Sequence, residues 1–76
     1  MNGFLVELCH AMDDLPIRLC KTLKEAQRVA KATKPMPTDA IRRVFGVNCS
    51  TPFSVDIVQF VDGKPVACHS CKDFSD

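Results

Sequence analysis

Seventy-six residues leave room for one domain with one core, and a chain this short buries only about 60% of its unfolded surface, so it is marginal alone. A composition of 46% apolar and 25% charged residues excludes disorder, and no apolar run approaches the ~20 residues of a membrane span. Formal net charge is only +1, yet residues 18–43 carry eight Lys and Arg against two carboxylates while the remainder carries two Lys against seven carboxylates.

Phe4-Leu5-Val6-Glu7-Leu8-Cys9-His10 reads as a strand with Phe4, Val6 and Leu8 on one face and Leu5, Glu7 and Cys9 on the other. No basic leader precedes it and Glu7 interrupts its apolar character, so it does not read as a signal peptide. Met12 to Pro16 supplies a turn, and residues 17–21 form a second strand with Ile17 and Leu19 inward. For those two to share a face with Phe4, Val6 and Leu8, an even position must pair with an odd one. A tight turn at Asp14-Leu15 satisfies this and sets Cys9 opposite Cys20.

Thr22-Leu23-Lys24-Glu25 is a capping box that opens a helix over about residues 22–34, with Leu23, Ala26, Val29 and Ala30 as its apolar stripe. Lys34-Pro35-Met36-Pro37 breaks it. Thr38 then caps a second helix that Gly46 ends, with Ala40, Ile41, Val44 and Phe45 inward and Arg42 and Arg43 outward. After a loop at residues 48–52, the β-branched and aromatic run Phe53 to Val61 predicts a third strand. Asp62-Gly63 is a hairpin turn signal, Lys64 to His69 returns as a fourth strand, and residues 70–76 form a frayed tail.

The expected fold class is therefore α+β: a four-stranded antiparallel sheet in the order β-β-α-α-β-β, with two helices on one face, in a single domain. The other face would carry Leu5, Glu7, Cys9, Arg18 and Cys20. The second hairpin would add either Val55, Ile57, Val66 and Cys68, or Val58, Phe60 and Ala67. Either set leaves apolar side chains uncovered, the usual mark of a subunit interface.

Five cysteines, an odd number without a signal peptide, fit reduced thiols in the cytoplasm. Cys68-His69-Ser70-Cys71 has CxxC spacing with an internal His, and Cys9-His10 is a second cluster. Zinc needs ligands that converge tetrahedrally, normally from a tight turn. A CxxC pair on a strand tends to diverge, and there is no second CxxC, so no cofactor or stoichiometric zinc is expected; any metal would use Cys68, His69 and Cys71. Nothing helical follows Cys71 to lower a thiol pKa, no Gly-rich phosphate loop is present, and the chain is too short to wall an active site. It is not expected to be an enzyme.

Lys24, Arg28 and Lys31 recur at helical spacing, and with Arg42 and Arg43 they form the basic surface on which an acidic partner would dock. A pI near 7.6 and the absence of interleaved aromatics argue against nucleic acid. The sequence thus ranks three readings: first, a non-enzymatic interaction module that pairs as a homodimer through Leu5, Cys9 and Cys20; second, a small zinc-binding protein; third, a nucleic-acid binder through the basic helix faces.

Overall fold

The computed structural model describes residues 2–10 and 13–70. The chain runs β1 (Gly3–His10), β2 (Asp13–Cys20), α1 (Leu23–Thr33), α2 (Thr38–Phe45), β3 (Phe53–Val61) and β4 (Lys64–Ser70). The four strands form one antiparallel sheet in the order β2-β1-β3-β4, and the fold is α+β as the sequence implies. The fourth strand takes in Ser70, the first residue of the expected tail; residues 71–76 lie outside the described residues.

α1 packs across β1, β2 and β3. Val6, Cys20, Ala26, Ala30, Val55 and Ile57 close the core, with Phe4, Ile17, Leu23, Val29 and Phe53 packed around them. Thr22 caps α1, its side chain accepting from the Glu25 N–H at 3.1 Å, a contact worth about 1 kcal/mol. Thr33, fully buried in the last turn, satisfies its hydroxyl by donating to the Val29 carbonyl at 2.8 Å. α2 begins differently from the reading above. Pro37 holds the cap position and makes no side-chain cap bond, and Thr38 is already the first helical residue. Ile41 is its buried anchor, whereas Val44 turns outward at 57% exposure. The Arg18 guanidinium of β2 lies 5.9 Å from the Phe45 ring centroid, a cation–π contact that ties α2 to the edge of the same sheet face.

The registers decide which side chains face the helices. Along β1 and β2, Phe4 pairs with Cys20, Leu5 with Leu19 and Val6 with Arg18. The ladder then slips, so that Glu7 meets Pro16 and Ile17 is the extra residue of a β-bulge. The proposed turn at Asp14-Leu15 is therefore incorrect: both residues belong to β2, opposite Cys9 and Leu8. Cys20 moves with the register. It sits on the helix side at 1% exposure, and Leu19 takes the outward position at 48%. The second hairpin behaves likewise. Asp62 and Gly63 both have positive φ, 54° and 79°, as a tight two-residue hairpin turn requires. Phe60 pairs with Pro65, but Gln59 pairs with Ala67, leaving Val66 as the bulge residue. Val58 and Phe60 consequently face outward with Cys68, while Val55, Ile57 and Ala67 face the helices.

Gly3 is the tightest backbone position. Its φ is 152°, and an added Cβ would lie 2.8 Å from the Cys20 carbonyl oxygen and 3.2 Å from Leu19 Cδ1. Gly46, the left-handed cap of α2 at φ 73°, has open space around it. Gly3→Ala is expected to cost about 2–3 kcal/mol, combining backbone strain with the clash, against about 1 kcal/mol of strain alone for Gly46→Ala. Urea denaturation of the two variants checks the order.

Candidate functional site

With the helix layer on one side, no other element among the described residues packs on the opposite face of the sheet. Across its middle runs an apolar row with one member from each strand: Leu19, Leu5, Val58 and Cys68. Phe60 extends the row toward the β3–β4 turn. Next to it lies an acidic row. Glu7 of β1 is the direct cross-strand partner of Asp56 of β3, and Asp14 of β2 is the partner of Cys9. The Cys9 thiol donates to Asp56 Oδ2 at 3.4 Å.

Partial burial, then the nearby charges of Asp14 and Asp56, push the Glu7 carboxyl above its ordinary range. The same surroundings push the Cys9 thiol up to about 12, burial first and then its hydrogen bonds to Asp14 and Asp56. Cys9 is therefore a protonated hydrogen-bond donor near neutral pH and a poor nucleophile. Burial also raises the Cys20 thiol, helped by Glu25 and opposed by Arg18.

At one end of β1, His10 Nδ1 lies 3.0 Å from the Ser50 hydroxyl and accepts the Ser50 main-chain N–H at 3.2 Å. This staples the loop at residues 46–52 to the sheet. A nucleophilic Ser–His pair needs a third group to orient the imidazole and donors for an oxyanion. Here the backbone of the same serine occupies the ring nitrogen, and the neighbouring hollow of about 370 Å³ is open, lined by Cys9, His10, Pro52, Phe53 and Ser54. Cys68 and His69 point to opposite faces of β4, with His69 on the helix side, 6.4 Å from the Phe4 ring. Its Nε2 is buried without a hydrogen-bond partner. Cys71 lies outside the described residues, and among those described no three Cys, His, Asp or Glu side chains converge as metal ligands.

The basic residues occupy the other side of the molecule. Lys24, Arg28 and Lys31 line a shallow groove with Gln27 along α1, and Arg42 and Arg43 are exposed on α2. Among the described residues none of these five cations pairs with a carboxylate. Of the residues assigned to an interface from the sequence, Leu5 and Cys9 do share the uncovered face, and Cys20 does not. Leu19, Val58, Phe60, Asp14 and Asp56 join them instead. No helix among the described residues is long and apolar enough to cross a membrane. Comparison with protein families, with curated proteins and with solved structures found no match to this chain.

Partial burial of the Glu7 carboxyl, with Asp14 and Asp56 nearby, carries a measurable cost. Because the Glu7 carboxyl is raised in the folded chain, its ionised form opposes folding at neutral pH. That penalty fades as pH falls through the raised value toward the ordinary 4.5. Glu7→Gln is expected to stabilise the protein by about 0.5 kcal/mol at neutral pH, with the gain vanishing near pH 4. Thermal melts of dilute protein across that range check it.

Proposed function

We propose that the chain is a non-enzymatic interaction module that self-associates, the partner being a second copy laid face to face on the uncovered sheet. The observation that carries this reading is the apolar row Leu19–Leu5–Val58–Cys68, which crosses every strand on the side away from the helices. Edge pairing is the obvious alternative route, and the edges discourage it. Both edge strands carry a proline followed by a bulged residue, Pro16-Ile17 in β2 and Pro65-Val66 in β4. Proline removes a donor and a bulge twists the ladder away, which are the usual protections against strand addition. The sheet face is the remaining route. With strands about 4.8 Å apart and a paired length of about seven residues, it presents roughly 440 Å² in plan per copy. Two copies together then cover under about 1,000 Å², which is the range of weak, transient contacts. A two-fold axis running along the apolar row would set each leucine against its own copy and send the two acidic rows to opposite ends.

Sedimentation over a concentration series tests this. The expected result is a dimer at micromolar concentration that Leu5→Glu returns to 8.4 kDa with its circular dichroism unchanged. Val44→Glu, on the exposed side of α2, should leave the dimer intact. An 8.4 kDa species at every concentration up to ~100 µM would refute the reading.

A second surface is supported by the unpaired cations on the helices. Like charges at helical spacing cost about 0.2–0.5 kcal/mol per pair, and Glu25 and Asp39 are the only carboxylates of the two helices. We propose that Lys24, Arg28, Lys31, Arg42 and Arg43 meet an acidic protein segment. Reversal of Lys24, Arg28 and Lys31 to Glu should abolish retention of a poly-glutamate peptide, and native retention should fall with salt. Salt-independent binding, or binding indifferent to the reversal, would exclude this surface.

A further inference from the structure

We propose that closure of two copies over the sheet face is coupled to proton uptake by the Glu7–Asp14–Asp56 cluster, so that the dimer tightens as the solution is acidified. This rests on the self-association proposed above. The geometry is specific. Glu7 and Asp56 stand directly across from each other on β1 and β3, on the same face as the apolar row and one pleat away from it. Side chains so placed have Cβ atoms about 4.5–5.5 Å apart. Asp14 stands across from Cys9 on β2, and the Cys9 thiol donates to Asp56.

Among the described residues, the groups that face the cluster from β1, β2 and β3 are Cys9, Pro16 and Ser54, and none of these is a cation. Arg18 pairs with Val6 and Lys64 with Val61, which puts both on the helix side of the sheet. α1 and α2 lie across the sheet from the cluster, so no basic residue of the helix layer reaches it. In the single copy Asp14 is exposed and Glu7 and Asp56 are partly buried. A second copy laid over the face removes more of their water, while its own acidic row lies on the far side of the apolar row. Burial disfavours the ionised form, so the covered face holds protons that the open face releases. Linkage then requires the dissociation constant to fall as pH falls. The overall charge works in the opposite direction. The chain is already at +1 at neutral pH and becomes more positive on acidification, so general repulsion would loosen the dimer. Tightening against that trend needs local groups inside the contact, and the Glu7→Gln, Asp56→Asn variant tests whether they are these carboxylates.

Sedimentation equilibrium of the full chain between about pH 8 and about pH 5 tests the coupling. One proton taken up per dimer changes the dissociation constant about tenfold per pH unit where it titrates, so a tightening of about tenfold or more is expected across the range. The double variant Glu7→Gln, Asp56→Asn should bind at the alkaline end as tightly as the native chain does at the acidic end, with its slope flattened. Should that variant be unfolded by circular dichroism, Asp14→Asn, at an exposed position, should still reduce the slope. A native dissociation constant that is flat or rises toward acid overturns the coupling, as does a folded double variant that keeps the full slope. If a dimer forms and Leu5→Glu dissociates it, but neither depends on pH, the proton coupling alone fails. If the native chain stays monomeric at both ends of the range, self-association fails with it.

Discussion

Nineteen helical residues, eleven in α1 and eight in α2, have to cover a sheet of four strands. They can roof one face only. Everything else in the chain is arranged around that shortfall. The largest buried side chains, Leu8, Ile41, Ile57, Val6 and Val55, belong to the roofed face or to α2 itself. What the described residues leave on the other face is Leu5, Val58 and Phe60, partly buried, with Leu19 and Cys68 exposed beside them. A domain of this size has little surplus stability to leave an apolar row in water. The row is therefore the place where a contact outside the chain has most to contribute.

The charge distribution follows the same division. The basic run of residues 18–43 is the stretch that builds the helix layer, so its cations collect on the roofed side, apart from Glu7, Asp14 and Asp56 on the open face. The near-neutral total thus conceals two surfaces of opposite character about one sheet. Opposite charges kept on opposite sides of a sheet cannot pair within the chain, and no ion pair forms among the described residues. Face-to-face pairing would cover the acidic surface and turn both helix layers outward. The resulting assembly would look basic from either side, although its chains are close to neutral.

Much of this was legible from the sequence because local chemistry governs it. The Thr22 cap, the stripe Leu23-Ala26-Val29-Ala30, the Asp62-Gly63 turn and the β-branched run of β3 each act within a few residues and appear where the pattern puts them. The register did not follow from local chemistry. Ile17 and Leu19 look like consecutive inward residues of one strand, and that reading drove Cys20 to the wrong face. The bulge after Pro16 breaks the alternation, so Ile17 packs on the core while Leu19 faces out. The same displacement at Val66 pairs Val58 with Cys68 rather than with Ala67. In both hairpins the available signal was a proline inside a strand, which marks an edge and often a bulge. Read as a turn residue, Pro16 hid the slip. The acidic cluster was invisible for the same reason, since Asp14 and Asp56 join Glu7 only once the registers are known.

The two bulges also explain why the open face is apolar in one row and acidic in the next. Without the extra residue at Ile17, the register of Glu7 with Pro16 would continue to pair Leu5 with Arg18 and Gly3 with Cys20, placing a cation on the open face one pair away from Glu7. The slip sends Arg18 across the sheet to Phe45 and leaves Glu7 among Asp14, Asp56 and a protonated thiol. A register shift of one residue thus takes a cation away from a face that carries three carboxylates. The apolar gain from covering a face this small is of the same order as the entropy lost on association. Under that near-balance, the protonation state of three carboxylates is large enough to decide whether the face stays open or closes.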